Sequence, residues 1–454
     1  MTAGAASARP RHVCAGDRRL SEIREILKLA VPTVLGLVST VAMGTIDTAM
    51  LAPLGSEVVA AVGLSTSAFI FVNSAIIGFV SVIGVGIARA RGSGHARMTS
   101  EAMSSGLAFA VILSLLAALS MSITSPLVSS LAPDPEIASL TGTYWLTLTL
   151  TAVPHTMLAA FRGAYTALGH PWTALGITLL GIGLNIPLNQ LLIHGGNGIE
   201  ALGILGAGLA SFFAKTLAGA VFVLHWRAAR SMRLSRFRFR LSCASILAQA
   251  REGSPVAIGS VAEGGAYAAT GLMAATLGAT ELAAYQVVHS IGVLFYMVPI
   301  GMMIASSIRA GQLIGAGRRG EVICTLMAAN LITLAWSACV LVFVLAFRVP
   351  ISDVLGPERD VAALAAALFL AMAFVQFADC AQSNALGVLR GMADNVLPNA
   401  ITVIAYWLLA LPLAAFLGLV LNFGVVGLSL GYGLVVLGVA AFLQFRAGRR
   451  SKLY

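Results

Sequence analysis

Three acidic side chains, Asp47, Glu263 and Asp379, stand in the middle of stretches that are otherwise almost wholly apolar. The other fifteen Asp and Glu residues fall in tails, in loops or at the ends of apolar runs. A carboxylate in the hydrocarbon of a bilayer costs about 2.5–3.5 kcal/mol on insertion scales. A chain that bears this cost three times points to an ion or substrate site inside a membrane. Burial disfavours a charged carboxylate and a nearby cation favours it, so such a group can exchange a proton or a hard cation for a cationic substrate. The bland alternative for each acid is a protonated or paired structural group between helices.

Asp47 comes late in the first apolar run, in "MGTIDTAM", and Glu263 lies in "SVAEGGAY", eight residues after Pro255. Asp379 lies in "VQFADCAQSNALG", unusually polar for an interior helix, with Gln376, Gln382 and Ser383 around it. Positions 376, 379 and 383 follow i, i+3, i+7 spacing and share one helical face, with Gln382 at its edge. A polar stripe of this kind faces a cavity rather than lipid. His155 and His289 read as hydrogen-bonded packing residues. Lys215, in "SFFAKTLAG", has two readings: it pairs with Asp47, or it snorkels towards an interface.

The elements that must position these groups follow from composition. The chain has 454 residues, 58% hydrophobic and 10% charged, with mean hydropathy +0.92. Soluble domains carry about 25% charged residues, so this is a polytopic membrane protein. Twelve apolar runs are long enough to span a bilayer. They cover about 26–50, 58–88, 102–124, 138–161, 172–193, 201–226, 250–276, 282–308, 322–347, 361–386, 396–418 and 423–445. Of the 28 Lys and Arg, 25 fall before the first run, in even loops (Arg162 and Arg390 among them) or at the end of the chain. The positive-inside rule then places both termini in the cytoplasm. The net charge of +10 is topology, and no nucleic-acid partner is expected. The first twenty residues hold no apolar segment of a cleavable signal peptide, and the five cysteines make no CxxC or metal spacing.

The chain also repeats itself at an offset of 223 residues. Pro32 matches Pro255, Gly55 matches Gly278, Gly78 matches Gly301, and Gly92 and Gly94 match Gly315 and Gly317. Six spans per half make the repeat parallel, with its axis along the membrane normal. The expected fold is all-α: twelve transmembrane helices in two six-helix lobes related by a pseudo-twofold. The divisions are a tail over 1–25, a lobe over 26–226, a basic linker over 227–249, a second lobe over 250–445 and a tail over 446–454. "GLSLG" matches a hydrolase elbow but sits inside an apolar helix, and no Walker, kinase or HExxH motif is present.

With the repeat and the acids in place, the chain resembles the multidrug and toxic compound extrusion (MATE) family, in its NorM-type bacterial branch. The likeness rests on "LAVPTVLGLVSTVAMGTIDTAMLAPLGSEVVAAVGL", "ELAAYQVVHSIGVLFYMVPIGMMIASSIRAGQLIGAG", "VLRGMADNVLPNAITVIAYWLLALPL" and "LNIPLNQLLIHG". It implies that Glu263 and Asp379 bind the coupling cation, with Tyr296 near them. It further implies that Asp47 is the acid of the N-terminal lobe, accompanied by Asn185. Asn189 stands where other branches carry an Asp, and Lys215 has no counterpart in the family pattern. Gln376, Gln382, Ser383 and Gln286 join the expected cation or substrate contacts.

The expected function is a cation-coupled multidrug antiporter of the bacterial inner membrane. It exports amphipathic, mostly cationic organic compounds in exchange for Na+ or H+, by rocker-type alternating access. No cofactor is expected beyond the transported ion, and the partners are organic cations and membrane lipids around a monomer. The alternatives are a lipid or lipid-linked oligosaccharide flippase of the same superfamily and, from another class, an intramembrane enzyme.

Overall fold

The computed structural model describes residues 16–196, 198–229, 243–356 and 358–452. They form twelve long helices: α1 Gly16–Leu51, α2 Ser56–Gly92, α3 Ala96–Ser130, α4 Pro135–Ala167, α5 Pro171–His194, α6 Gly203–Ala228, α7 Cys243–Leu277, α8 Ala279–Gly315, α9 Val322–Leu355, α10 Arg359–Gly391, α11 Val396–Val420 and α12 Gly424–Lys452. Ten are long and apolar enough to cross a membrane. The two that fall short, α4 and α7, carry His155 and Arg162 in one case and Glu263 in the other.

Several helices run beyond the apolar stretches that define them. α1 starts ten residues before its apolar run and α12 continues to Lys452. Segments expected as tails are therefore helix: Glu22 is buried and pairs with Arg309, and Arg446 pairs with Asp394 at 2.8 Å. The linker expected over 227–249 also ends earlier, because α7 begins at Cys243 and Gln249 already donates to Ser105 Oγ at 3.0 Å. The basic "RLSRFRFRLS" falls outside the described residues. Arg162 and Arg390, expected in loops, lie within α4 and α10, and Arg390 is buried. Hydropathy finds the hydrocarbon-matched part of a helix, not the turns that overhang it.

The repeat reappears as geometry. A Cβ on Gly92 would meet the Gln312 carbonyl, and one on Gly315 would meet the carbonyl of Arg89. A Cβ on Gly78 would lie 2.5 Å from Cα of Ala257, and one on Gly301 would strike Val34. Each member of these pairs is related to its counterpart by the same 223-residue offset, so α2 meets α8 and α7, and α8 meets α2 and α1, across a pseudo-twofold. Glycine lets these backbones approach without a side chain between them.

All hydrogen bonds and ion pairs between the lobes, among the described residues, lie at the end that carries the arginines. Arg89 pairs with Glu252 at 2.8 Å, Arg309 with Glu22, and Gln312 Nε2 reaches the Ala167 carbonyl at 3.3 Å. Within the C-terminal lobe, α11 widens into π turns at Tyr406–Ala410 and Phe416–Val420 on either side of Pro412. A proline without an N–H, and with a ring that crowds the preceding turn, favours this local change.

Candidate functional site

Two polar clusters form, one in each lobe. In the N-terminal lobe α1 brings in Asp47, α5 brings Asn185 and Asn189, and α6 brings Ser211 and Lys215. Asn189 Nδ2 donates to one carboxylate oxygen of Asp47 at 2.6 Å, and Ser211 Oγ donates to the other at 3.0 Å. Asn189 also donates to Asn185 Oδ1 at 3.2 Å, and Asn185 to Ser211 at 3.4 Å. Asn185 and Asn189 are four residues apart, so both face Asp47 from one side of α5. The carboxylate is satisfied by neutral donors, and its own exposure is 8%.

Lys215 makes no ion pair with Asp47 within 4.0 Å; the two carboxylate oxygens take their hydrogen bonds from Asn189 and Ser211. A direct contact, one of the two readings of Lys215, does not form. Ser211, one turn earlier on α6, takes the contact because its short hydroxyl fits between α1 and α5. Arg162 Nη1 donates to Thr40 Oγ1 at 3.1 Å, and His155 Nε2 shares a 2.8 Å hydrogen bond with Asn73 Oδ1. Asn189→Ala removes a donor from a carboxylate, an interaction worth about 1.5–3 kcal/mol. The expected result is a lower melting temperature for the purified protein. An unchanged melt would show that Asp47 does not depend on this contact.

In the C-terminal lobe α7, α8, α10 and α12 converge. Tyr296 Oη, on α8, donates to Glu263 Oε1 at 2.6 Å. Asp379, on α10, is 7% exposed, and no described residue hydrogen-bonds to it. It lines a cavity of about 60 Å³ with Gln376, Tyr296, Tyr267, His289 and Tyr432. Tyr296 connects the two acids: it donates to Glu263 and lines the cavity with Asp379. The aromatic wall is ordered by ring contacts: Tyr285 stacks on His289 at 5.8 Å, and Tyr267 meets His289 at 5.5 Å.

The expected residues divide accordingly. Glu263, Asp379, Tyr296 and Gln376 come together, with Gln376 Nε2 anchored on the Phe295 carbonyl at 3.1 Å. Gln382 is turned away and donates to Tyr406 Oη at 2.6 Å. Ser383 is buried but not part of the cavity wall, and Gln286 is exposed and also absent from it. Sequence reasoning missed Ser211, Arg390, Tyr267 and Tyr432. Ser211 could have been found four residues before Lys215, on the same face of α6.

Two copies of the MatE family model match this chain, over residues 32–191 and 255–416, and begin 223 residues apart. Twelve helices in two lobes, each with a buried acid, define a membrane transport protein of that architecture, and the chain belongs to the MatE family. A probable multidrug resistance protein NorM from Rhodopseudomonas palustris is 30% identical over 72% of this chain and 70% of its own length. Its counterpart from Pasteurella multocida is 28% identical over 57% of this chain, and the chain spans 56% of that relative's length. The Vibrio cholerae MATE transporter VcmN in its bent form superimposes with a TM-score of 0.84 at 18% identity, covering 96% of this chain and 99% of that one. That last likeness concerns the fold.

Proposed function

We propose that the chain is a secondary active multidrug efflux antiporter. It exports amphipathic, mostly cationic organic compounds in exchange for Na+ or H+, by rocking its two lobes about the pseudo-twofold axis. The observation that carries this reading is Asp379, a buried carboxylate without a hydrogen-bond donor among the described residues, on the wall of a cavity of about 60 Å³. Space of this kind holds a water molecule from about 10–15 Å³ upward, so this cavity admits a proton with its water or a cation that keeps part of its hydration. We place the drug beside Glu263, which is half-buried and accepts a hydrogen bond from the cavity-lining Tyr296. Binding of the ion at Asp379 removes one of the pair's two negative charges and so weakens the hold of the site on an organic cation. Tyr296, which donates to Glu263 and shares the cavity wall with Asp379, links the two acids and supports that competition.

The joined end of the lobes is the basic end, which the positive-inside rule assigns to the cytoplasm of a bacterial cell. On that assignment the first helix begins and the last helix ends on the cytoplasmic side, where the lobes are joined. The transporter works as a monomer, without a cofactor beyond the coupling ion. Lys215 and Arg162 favour a flippase of anionic lipids as the second reading, whereas the mid-span acids Asp47, Glu263 and Asp379 favour the first.

Dye efflux from cells expressing the chain tests the proposal. Accumulation of a lipophilic cationic dye should fall on expression and return when the sodium and proton gradients are collapsed. Dye accumulation unaffected by expression would overturn it. Tyr296→Phe removes the hydrogen bond that orients Glu263, worth about 1.5–3 kcal/mol, and should slow initial efflux about tenfold. A wild-type rate in that variant would leave Tyr296 without a role.

A further inference from the structure

At the basic end, where the lobes meet, a second cavity of about 530 Å³ opens between them. Residues from α1, α2 and α5 of the N-terminal lobe and from α8 of the C-terminal lobe form its wall, and the transport reading makes no use of it. Its charged lining is Lys28, Arg91, Arg309 and Arg318 against a single carboxylate, Glu25. Lys28 pairs with Glu25 at 2.5 Å, Arg318 with Glu321 at 2.6 Å and Arg309 with Glu22. Arg91 instead donates to the backbone carbonyl of Leu168, which leaves its charge without a carboxylate. Even with Glu22 and Glu321 included, the group keeps one net positive charge. The exposed ion pairs on Lys28 and Arg318 are worth about 0–1 kcal/mol each and yield readily to a stronger anion.

Two further features lie on the same wall. α5 begins there with Pro171, and its N-cap residue His170 makes no side-chain cap hydrogen bond. The first-turn N–H groups of a 24-residue helix therefore add a positive dipole end to the cations. Trp172, which follows, is 58% exposed, the behaviour of an aromatic side chain seated at headgroup level.

We propose that this cavity binds the phosphate group of an anionic lipid from the cytoplasmic leaflet, and that the bound lipid holds the two lobes together at that end. Arg91, the readily released Lys28 and Arg318, and a helix N-terminus recognise the phosphate, while Arg309 stays with Glu22. Trp172 favours a lipid as its source over free phosphate, because an indole ring gains from an acyl-chain boundary and nothing from a soluble ion. The volume falls within the range of about 300–1,000 Å³ typical of small-molecule sites. Basic pockets between membrane helices on the cytoplasmic side suit such headgroups. Because both lobes contribute cations, occupancy favours the joined form by its differential affinity for it. The choice of leaflet rests on the topology proposed above.

Binding of fluorescent phosphatidylglycerol to the purified full-length chain in detergent tests this, with phosphatidylcholine and inorganic phosphate as competitors. Saturable binding is expected, resisting phosphatidylcholine and yielding to phosphate only in large excess. Combining Arg91→Gln with Lys28→Gln should weaken binding about tenfold, and Arg91→Lys should largely retain it. If the double variant melts early, Lys28→Gln and Trp172→Ala, each tested alone, carry the comparison. Equal binding of phosphatidylcholine, or unchanged affinity in folded variants, would overturn the site. Phosphate binding as tight as that of the lipid would overturn the lipid assignment. No transport step enters the assay, so its failure and a failure of the efflux reading are separate results.

Discussion

Asp379→Asn and Glu263→Gln should each reduce dye efflux to the background of cells without the transporter, at unchanged amounts of protein in the membrane. The two substitutions keep shape and remove charge. Asp379 has no hydrogen-bond donor among the described residues to lose, so a fall in activity there reports ion binding rather than a broken contact. Glu263 holds Tyr296 at 2.6 Å, and glutamine can still accept that hydrogen bond through its carbonyl oxygen. The expected loss is at least about a hundredfold, the effect of about 2.7 kcal/mol at tenfold per 1.36 kcal/mol. Asp47→Asn should be milder, because Asn189 and Ser211 already satisfy that carboxylate. Efflux close to wild type in both C-terminal-lobe variants would end the site assignment.

The second large effect concerns the seam between the lobes. Gly315→Val sets a branched side chain against the Arg89 carbonyl, and Gly92→Val sets one against the carbonyl of Gln312. Backbone cannot yield as a flexible side chain does, and overpacking of this kind costs about 1–3 kcal/mol or more. The penalty falls on the joined form alone, since the glycines meet their partners only across the seam. Each substitution should abolish efflux while leaving insertion intact. Spin labels at Ser93 and Ala316, themselves 223 positions apart, should move apart in Gly315→Val relative to the otherwise unchanged protein. An unaltered distance together with full efflux would show that the seam does not have to close.

Much of this arrangement was legible because membrane physics leaves few options. Charges at mid-span are costly, so Glu263 and Asp379 announced themselves, and four of the glycines matched at 223 residues, Gly78, Gly92, Gly301 and Gly315, became close approaches between the lobes. What hydropathy could not resolve was depth. Arg162 and Arg390 looked like loop residues, since each is followed by glycine and lies beyond the most apolar run. In the fold α4 and α10 continue past them. Side-chain direction was the other limit. Gln382, at the edge of the expected polar face, is drawn to Tyr406 by the π turn that begins there. Lys215 was singled out for its charge, yet its smaller neighbour Ser211 makes the contact with Asp47. A hydroxyl inside an apolar helix costs little and so leaves no mark in a hydropathy profile.

The central claim, that the C-terminal-lobe acids couple ion to drug, is tested most directly in reconstituted vesicles with a sodium gradient or a pH gradient imposed separately. The wild-type chain should drive dye against its concentration gradient under at least one of the two, and Asp379→Asn should do so under neither. Uphill transport by Asp379→Asn at the wild-type rate would contradict the account.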